Sequence, residues 1–331
     1  MNFFYSLICR LRETHEFLIT ARSHDRVIPM LESKKLDFVE VGKHGGKSPA
    51  NKLLAYAETV KKLVPIVRRE SPDVLLTERW PEAVRTAFGL RIPAWTLFYD
   101  EREYHVNRMV FPLSSKIFAP SFYTMDQLRK NGVIDLNRVI RFNGFHTCYL
   151  KDYHPDERKN PFKEIGIDPP IILVRPEPER ATFFPSEEKN ILEDAVKLLV
   201  KENNANIAVV PRTPRQERRF RKYPITIYES SSDENPVAYS DVVIGAAETM
   251  LMESFVLGKP TVSAVYWEPS IPVKKLHMYV PHYTDPARIA VKTESFLKPE
   301  ERVRFKRRAE EVVGKMDNPI DTFVSELHKI S

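Results

Sequence analysis

The chain has 331 residues and a net charge of +6 at pH 7, and it contains only 10 glycines against 26 prolines. Glycine makes up about 3 % of the chain where about 7 % is usual, and proline about 8 % where about 5 % is usual. This shortage argues against a function that depends on repeated glycine-rich phosphate loops, which need residues that reach positive φ or let a ligand approach the backbone. Neither a GxGxxG nor a GxxxxGK[ST] motif occurs.

Charge and cysteine content narrow the class of protein further. The positive net charge favours anionic small molecules, acidic surfaces or nucleic acid over cationic partners. The two cysteines, Cys9 and Cys148, are too few for a disulfide framework or a structural zinc site. Residues 1–9 are apolar but lack the preceding basic residue and the cleavage site of a signal peptide, and no stretch of about 18 uncharged residues occurs. We therefore expect a cytoplasmic protein without an integral membrane segment.

The pattern along the chain is typical of parallel α/β sheets, because short β-branched or aromatic runs alternate with amphipathic segments of helix length. In the first half, the predicted strands are residues 16–21, 38–41, 73–77, 94–99 and 116–119, and the predicted helices include residues 2–11 and 50–69. In the second half, the predicted strands are residues 171–174, 207–210, 225–228, 241–245 and 261–265, and the predicted helices include residues 186–203, 249–257 and 299–315.

The two series of strands predict two doubly wound, Rossmann-like domains that face a cleft. Residues 149–170 are rich in Asp, Pro and Lys and lack periodicity, so they form the predicted linker between domains at residues 1–150 and 151–331. Open α/β sheets bind ligands outside the carboxyl ends of their strands. The chain opens on a helix with no strand before it. Either the fold begins with a helix, or the first strand of the N-terminal domain is missing.

The most informative stretch is residues 240–260, which predict a buried strand, a tight turn and a helix. Such a turn exposes backbone N–H groups at a helix N-terminus, a natural anion site, here at Ala247 and Glu248. Thr249 and Glu253 are four residues apart on one helix face, which would present a hydroxyl and a carboxylate to the phosphate and ribose of a ligand. The alternative is that the acidic and hydroxyl side chains cap and solvate an ordinary helix.

Two arginines follow predicted strands of the second half, Arg175 in LVRPEPER and Arg212 in VVPRTPRQ. Strand carboxyl ends point into the expected cleft, and a guanidinium can hold a diphosphate through two parallel hydrogen bonds. The alternative for each is an ordinary surface arginine. The basic run at residues 215–222 also has two interpretations, a nucleic-acid contact or a solvated helix face.

The loop at residues 42–48 (GKHGGKS) follows a predicted strand of the first half. It contains the only adjacent glycine pair, Gly45 and Gly46, beside His44. Glycines and lysines at a strand end predict a phosphate contact, and the histidine is a candidate base near neutral pH. The alternative is an exposed loop histidine without a catalytic role.

Two acidic residues of the first half are further catalytic candidates. Glu78 comes directly after the strand predicted at residues 73–77. Glu103 lies in the segment DEREYHVNR, where Asp100 and Glu103 also fit a capping box at a helix start. The capping box is the favoured interpretation of this segment. The candidate general bases are therefore His44, Glu78 and Glu103.

Several of these motifs together resemble the mainly archaeal family called domain of unknown function 354. They are GKHGG at residues 42–46, NGF at 143–145, VRPEPE at 174–179, PRTP at 211–214 and IGAAETM at 244–250. The motifs occur in the right order, and the resemblance covers essentially the whole chain. That family is in turn similar to the two-domain glycosyltransferase-B superfamily, which includes the nucleotide-sugar 2-epimerases and the lipid-II-forming N-acetylglucosaminyltransferase.

The resemblance implies that the second domain holds most of a nucleotide sugar and that the first domain is the acceptor side, for a glycan or a lipid-linked acceptor. The turn at residues 246–249 would face the diphosphate, and Glu253 would bind the ribose hydroxyls. Such enzymes generally need no metal and no cofactor beside the nucleotide sugar itself, since arginines and helix dipoles stabilise the leaving diphosphate. Relatives begin with an extra strand and loop, so the resemblance also implies that the first strand is missing here.

One departure from the family pattern concerns the predicted diphosphate turn. Ala247 and Glu248 stand where relatives often carry two glycines, and the Glu248 carboxylate puts a negative charge where a diphosphate would lie. Two unit charges about 4 Å apart repel by roughly 4 kcal/mol at an effective dielectric constant of 20. Either Arg175 and Arg212 offset this repulsion, or Glu248 satisfies the helix N-terminus itself and the pocket no longer takes a diphosphate.

The sequence thus predicts a nucleotide-sugar-binding protein that acts as a transferase or epimerase in cell-surface glycan metabolism. The first alternative is a non-catalytic binding or regulatory protein of the same fold. The second is nucleic-acid binding through the basic runs at residues 215–222 and 302–308. This alternative ranks last, because both runs contain or adjoin glutamates and no platform of stacking aromatic residues accompanies them.

Overall fold

A computed structural model of the chain describes residues 2–23, 27–43, 45–46, 48–179, 184, 189–202, 204–229 and 235–330. The chain forms two compact units. Unit 1 contains residues 1–146 and 317–331, and unit 2 contains residues 147–316. Each unit is built from parallel strands connected by helices.

The elements of unit 1 follow the predicted alternation of strands and helices. Its strands are β1 (Thr20–Ser23), β2 (Val39–Lys43), β3 (Leu75–Thr77), β4 (Ala94–Leu97), β5 (Lys116–Pro120) and β6 (Val139–Phe142). Its helices are α1 (Asn2–Leu11), α2 (Val27–Ser33), α3 (Pro49–Glu70), α4 (Pro81–Gly89), α5 (Tyr104–Val110), α6 (Met125–Lys130) and, from the far end of the sequence, α14 (Pro319–Leu327).

The strands of unit 1 form two parallel sheets. β3, β4, β5 and β6 pair in sequence order, while β1 and β2 form a sheet of their own. No strand within the described ranges pairs with both β1 and β3, so the two sheets are not joined by hydrogen bonds into one. Within the described ranges, β1 is preceded by α1 and by no strand.

Local sequence signals explain where α3 begins and ends. Ser48 is its N-cap, and the Ser48 hydroxyl accepts a hydrogen bond from the Asn51 N–H at 3.4 Å. Pro49 occupies the first turn, where no N–H is needed. At the other end, Ser71 takes the left-handed conformation (φ 46°), and its N–H returns to the Val67 carbonyl oxygen. These caps place the start of α3 directly after the GKHGGKS loop.

The C-terminal helix α14 packs in unit 1, so the division of the chain differs from the predicted one, which put residues 151–331 together. Phe323 is fully buried and stacks on Phe118 of β5 with ring centres 3.6 Å apart. The Glu326 carboxylate pairs with the Lys116 ammonium at 2.6 Å. Periodicity shows that a helix has an apolar face but not which sheet that face covers, and the prediction differs for this reason.

Unit 2 begins after His146, and its strands in the described part of the chain form one sheet. Its strands are β7 (Ile171–Arg175), β8 (Asn206–Val209), β9 (Thr226–Ile227), β10 (Val242–Gly245) and β11 (Thr261–Ser263). Its helices are α7 (Pro161–Glu164), α8 (Ile191–Glu202), α9 (Pro214–Phe220), α10 (Glu248–Val256), α11 (Ile271–Leu276), α12 (Pro286–Leu297) and α13 (Pro299–Val313).

The sheet of unit 2 has the strand order β11-β10-β7-β8-β9, with every pair parallel. The central strand β7 is buried along residues 171–174, as its continuous apolar sequence predicts for a strand covered on both faces. The chain runs outward from β7 through β8 to β9 and then returns to β10 on the other side of β7. The strand order therefore reverses at β7.

The predicted α/β class is confirmed in both units, and each of the ten predicted strands overlaps an observed one. The prediction missed β6, whose residues Val139, Ile140 and Arg141 are only half-buried and mix charge with apolar character. The helix predicted at residues 186–203 begins at Ile191 in the described part of the chain. No helix in the described ranges combines the length and the apolar character that crossing a bilayer requires.

Candidate functional site

The carboxyl end of β7 lies at the point where the strand order of unit 2 reverses. β8 pairs with one side of β7 and β10 with the other. In open parallel sheets the loops on either side of such a point diverge, and the crevice between them is where ligands bind. We call Arg175 together with residues 245–248 the switch-point site.

Arg175 is the last residue of β7 and is half-buried. Its guanidinium donates to the carbonyl oxygen of Val210 at 2.8 Å and to that of Pro211 at 3.4 Å, both just beyond β8. The Arg175 carbonyl oxygen accepts a hydrogen bond from the Ala246 N–H at 3.1 Å. Arg175 thus connects the segments that leave three neighbouring strands at their carboxyl ends.

Gly245 and Ala247 shape the turn between β10 and α10. A Cβ atom at Gly245 would lie 3.2 Å from the Arg175 carbonyl oxygen, so glycine permits the close approach of the two strand ends. Ala247 is the N-cap of α10 and supplies no side-chain cap. An alanine here costs the helix about 1 kcal/mol relative to Ser, Thr, Asp or Asn. Helix N-termini with uncapped N–H groups are suited to binding anions.

Glu248 is the first residue of α10, and its carboxylate contacts the residue before α11. Oε2 accepts a hydrogen bond from the Ser270 hydroxyl at 2.6 Å, and Oε1 accepts one from the Ser270 N–H at 3.4 Å. A carboxylate in the first turn interacts favourably with the helix dipole and repels an anion that approaches the same turn. Both interpretations of Glu248 made from the sequence therefore stay open.

Glu253 lies farther along α10 and is buried, with 9 % of its surface exposed. The Tyr149 hydroxyl donates to its Oε1 at 3.2 Å, and the Asn235 side-chain amide donates to its Oε2 at 3.4 Å. Burial raises the pKa of this carboxyl above its ordinary value. Thr249, by contrast, is exposed. The two residues predicted to share one ligand-facing surface thus differ in burial, and the ribose-binding role of Glu253 stays a prediction.

Arg212 is exposed and lies three residues beyond β8. Its backbone N–H donates to the Gln216 side-chain oxygen at 2.8 Å. The next residue, Thr213, is the N-cap of α9. The structure therefore places both predicted arginines, Arg175 and Arg212, at the carboxyl ends of adjacent strands. Their contact with a diphosphate stays a prediction.

The two basic runs considered for nucleic-acid binding are partly ion-paired within unit 2. Arg219 of α9 lies 3.2 Å from a carboxylate oxygen of Glu179 and 3.2 Å from one of Glu193, and its side chain is only 14 % exposed. Arg302 of α13 pairs with Asp241. These pairs reduce the positive charge that the runs present to a partner.

Unit 1 carries a cluster of polar side chains that follow β3, β4 and β6. The Glu78 carboxylate accepts a hydrogen bond from the Tyr99 hydroxyl at 3.2 Å. The Arg79 guanidinium lies 4.4 Å from the centre of the Tyr99 ring and donates to the Asp100 carbonyl oxygen at 3.1 Å. The His146 ring stacks on the same tyrosine at 4.4 Å. We call Glu78, Arg79, Tyr99 and His146 the unit 1 cluster.

His146 and Tyr99 were not identified from the sequence. His146 is 7 % exposed, and its Nδ1 has no hydrogen-bond partner among the described residues. Burial lowers the pKa of its imidazole from 6.5 to about 4, so the ring is neutral at pH 7. Burial also raises the pKa of Tyr99, whose hydroxyl stays protonated. A neutral imidazole, a phenol and a carboxylate in one cluster are the groups that general acid–base catalysis uses.

The capping box predicted for Asp100 and Glu103 is wrong. Glu103 is the N-cap of α5 but makes no side-chain cap. The Asp100 carboxylate instead accepts two hydrogen bonds from the Arg102 guanidinium, each at 3.0 Å. Burial by itself raises the pKa of Asp100, but the Arg102 charge and hydrogen bonds outweigh it and hold that pKa below its usual value. The capping-box pattern of Asp100 and Glu103 does not show that the Arg102 guanidinium competes for the Asp100 carboxylate. The catalytic role of Glu103 stays a prediction.

Of the predicted phosphate loop, Gly45 and Gly46 are described, whereas His44 lies outside the described residues. A Cβ atom at Gly45 would lie 2.5 Å from the Asn51 carbonyl oxygen, so glycine is needed there for the loop to pack against α3. Gly46 has φ +72°, a left-handed conformation that glycine takes without strain, and open space surrounds it. Gly45 therefore has a structural reason to be glycine, and the phosphate contact at this loop stays a prediction.

The chain is similar in sequence to one protein family and to an archaeal relative. A family model described as "Protein of unknown function (DUF354)" matches residues 1–293. An uncharacterized protein of Methanocaldococcus jannaschii is 31 % identical over 274 residues, which cover 80 % of this chain and 78 % of that protein. The resemblance inferred from the motifs is confirmed.

Solved structures of UDP-GlcNAc 2-epimerases and of Anabaena HepE are similar to this chain in fold. The UDP-GlcNAc 2-epimerase from M. jannaschii has a TM-score of 0.66 at 14 % identity, over 98 % of this chain and 96 % of that one. The Neisseria meningitidis enzyme bound to UDP-GlcNAc has a TM-score of 0.64 at 15 % identity, over 98 % and 95 %. Anabaena HepE in complex with UDP and glucose has a TM-score of 0.64 at 13 % identity, over 99 % and 95 %. The predicted glycosyltransferase-B-like fold class is confirmed.

Proposed function

We propose that this chain, which belongs to the DUF354 family of proteins of unknown function, binds a nucleotide sugar through unit 2 and transfers or epimerises its sugar. The switch-point site takes the diphosphate of that substrate. The unit 1 cluster supplies the acid–base groups of the reaction. For a transferase, the acceptor is a glycan or a lipid-linked molecule.

The observation that carries the proposal is the contact between a strand-end arginine and the turn before α10 at the switch point. The hydrogen bond from the Ala246 N–H to the Arg175 carbonyl oxygen joins the two segments at 3.1 Å. A diphosphate is attracted by both groups, by a guanidinium through parallel charged hydrogen bonds and by a helix N-terminus through its dipole and N–H groups. Arg212, beyond the adjacent strand β8, adds a second guanidinium at the same edge of the sheet.

Proteins of similar fold support the choice of ligand. The N. meningitidis structure contains UDP-GlcNAc, and the Anabaena structure contains UDP and glucose. Glu253 suits the ribose of such a ligand, because Tyr149 and Asn235 orient its two carboxylate oxygens. We assign the ribose hydroxyls to Glu253 on this ground.

The reaction needs a group that accepts a proton, from an acceptor hydroxyl in transfer or from a sugar carbon in epimerisation. We assign this role to Glu78. Its carboxylate accepts a hydrogen bond from the Tyr99 hydroxyl. Burial by itself raises the pKa of this carboxyl, but neighbouring positive charge, including that of Arg79, holds the pKa below its ordinary value, so Glu78 is ionised at pH 7 and can accept a proton. Tyr99 and His146 orient it, the first by its hydroxyl and the second by stacking on the tyrosine ring.

Calorimetric titration of the chain with UDP-, GDP-, ADP- and CDP-sugars tests the proposal. We expect one of these ligands to bind and to stabilise unit 2, by about 2.7 kcal/mol at one hundred times its Kd. In Arg175→Gln, we expect the affinity for that ligand to fall about 10- to 100-fold, because a hydrogen bond to a charged group contributes about 1.5–3 kcal/mol. The proposal is overturned if none of the four sugar nucleotides binds.

Arg141 of β6 provides a matched control in unit 1. Its guanidinium also donates to two carbonyl oxygens, those of Ser121 and Tyr123, each at 2.6 Å. Arg141→Gln therefore removes comparable structural hydrogen bonds without altering the switch-point site. We expect this variant to bind the nucleotide sugar with unchanged affinity.

The position of the Glu248 carboxylate favours a second candidate function, that of a binding protein of the same fold without catalytic activity. Its carboxylate is held in the first turn of α10 by Ser270, where it opposes a diphosphate. This candidate predicts that the unaltered chain binds no nucleotide sugar and that Glu248→Gly restores binding.

A further inference from the structure

Gln216 is a fully buried side chain whose amide joins two loops at the carboxyl end of the unit 2 sheet. Its Nε2 donates to the Glu177 carbonyl oxygen at 2.7 Å, and its Oε1 accepts from the Arg212 N–H at 2.8 Å. Glu177 lies two residues beyond Arg175 in the loop after β7, and Arg212 lies in the loop after β8. One amide therefore connects the loops that carry both arginines.

The start of α9 holds Gln216 in place for this role. Thr213 is the N-cap, and its hydroxyl accepts from the Gln216 N–H at 3.2 Å. A glutamine at this third helical position usually returns its side-chain oxygen to the N-cap N–H. Here the oxygen accepts from the preceding residue, Arg212, and the amide nitrogen reaches the neighbouring loop. The bond to Glu177 is thus additional to what helix capping requires.

A second hydrogen bond joins the same two segments, closer to the strands of the sheet. The Arg175 guanidinium donates to the Val210 carbonyl oxygen at 2.8 Å, just before the Arg212 loop. The loop after β7 is also attached to α8, because the Glu177 carboxylate accepts a hydrogen bond from the Leu192 N–H in the first turn of that helix at 3.2 Å. The segments that carry Arg175 and Arg212 are therefore closed into a ring of hydrogen bonds, and Gln216 forms its outer link.

We propose that Gln216 is a positioning residue, which sets the spacing of Arg175 and Arg212 for the diphosphate of the ligand. This inference rests on the proposed function. Two guanidinium groups can both form charged hydrogen bonds to one diphosphate only if the distance between them is suitable. Binding loses less conformational entropy when that distance is already fixed in the unbound protein. Gln216 acts through the backbone of the two loops and does not itself contact the ligand.

Gln216→Met is the direct test, because methionine has a similar length and no amide. Its probes are the sugar nucleotide that the unaltered chain binds and inorganic pyrophosphate. We expect the Kd for both to rise about 10-fold in Gln216→Met. In an Arg212→Gln background, where one of the two positioned guanidinium groups is absent, we expect the same substitution to raise Kd no more than about 3-fold.

Gln127 in unit 1 supplies a matched control. It occupies the equivalent position in the capping box of α6, where its side-chain oxygen accepts from the Thr124 N–H at 2.8 Å. Gln127→Met therefore removes a capping glutamine without altering either arginine loop. We expect it to leave both dissociation constants unchanged.

A second variant decides the question if Gln216→Met does not fold, since a buried group left without its hydrogen bond costs about 1–3 kcal/mol. Gln216→Asn keeps the amide but is one methylene shorter, so it cannot span both loops, and we expect it to weaken binding in the same way. Unchanged affinity in a folded Gln216 variant overturns the inference. So does an equal loss with and without the Arg212 guanidinium, which would mark a structural role alone. If the unaltered chain binds neither probe, the proposed function falls and the inference falls with it.

Discussion

The carboxyl ends of the sheets in unit 1 and unit 2 present different kinds of groups. In unit 2, Arg175 and the turn before α10 offer a fixed cation and backbone N–H groups, tied together by hydrogen bonds between neighbouring strand ends. In unit 1, Glu78, Tyr99 and His146 offer side chains whose protonation is set by their surroundings, beside the fixed cation of Arg79. The first arrangement suits the binding of an anion and the second suits proton transfer, since these tasks need fixed charge and adjustable charge respectively.

The difference follows from strand order. The order of unit 2 reverses at β7, and in open parallel sheets ligands bind beside such a reversal. β3 to β6 of unit 1 pair in sequence order without a reversal. The unit 1 cluster accordingly forms from side chains that meet over adjacent strand ends, and its ionisation states depend on burial. Two parallel sheets of one class thus differ in chemistry through their strand order and through the residues at their strand ends.

The largest expected effect tests where one unit stops and the other begins. In Phe323→Ala, loss of a fully buried ring that stacks on Phe118 should lower the free energy of unfolding of unit 1 by about 3–5 kcal/mol. Hydrogen exchange, measured peptide by peptide, should rise in β4 and β5 and stay unchanged in β7 and β8.

Phe305 of α13 provides the reciprocal variant, because its ring packs against Phe296 and Phe255 within unit 2. Phe305→Ala should raise exchange in unit 2 and leave β4 and β5 protected. Equal changes in both units for either variant would contradict the division of the chain at residues 146 and 316.

The second largest effect concerns the ionisation of His146 in the unit 1 cluster. The folded pKa of His146 lies near 4, below the 6.5 of an unfolded histidine, so its contribution to stability is complete above pH 6.5 and is lost as the pH falls towards 4. This loss amounts to about 3 kcal/mol. In His146→Phe, which keeps the stacking on Tyr99, unfolding free energies measured by denaturant at pH 7 and pH 4.5 should lie closer together than in the unaltered chain.

His277 in unit 2 serves as the comparison, because burial and the neighbouring His282 also lower its pKa to about 4. His277→Phe should reduce the pH dependence of unit 2 and leave that of unit 1 intact. A pH dependence of unit 1 that is the same with and without the His146 imidazole would show that this residue is not held neutral by burial.

The smallest effect concerns the charge at the switch-point site. In Glu248→Gln, the side-chain oxygen can still accept from Ser270, but the negative charge in the first turn of α10 is removed. We expect the affinity for a nucleotide diphosphate to rise about 3- to 10-fold, equivalent to about 1 kcal/mol, and the gain to shrink at high salt. Calorimetric titration at two salt concentrations measures both.

The control for Glu248 is Asp126, which also lies in the first turn of a helix, α6 of unit 1. Asp126→Asn should leave the nucleotide affinity unchanged. An unaltered affinity in Glu248→Gln would mean that the diphosphate does not approach the N-terminus of α10.

Residues at strand ends were predictable, whereas their partners were not. Arg175 ends β7, Glu78 directly follows β3, and Arg212 lies three residues beyond β8. Because the carboxyl ends of parallel strands share one edge of a sheet, the placement of these residues follows from local pattern. Tyr149 meets Glu253 from 104 positions away in sequence. No local pattern indicates such a contact, because it depends on how the segment around Tyr149 and α10 pack within unit 2.

The sequence by itself determined the α/β class, the family and the residues at the strand ends, because periodicity, turn residues and motif order are properties of short segments. Only the tertiary structure decided that α14 packs in unit 1, that Asp100 binds Arg102 instead of capping α5, that His146 joins Tyr99, and that Gln216 links two loops. The physical reason is that the sequence of a segment shows which of its apolar side chains must be buried and which polar groups need a hydrogen-bond partner. Which residues bury or pair with them depends on strand order and on packing over a whole unit.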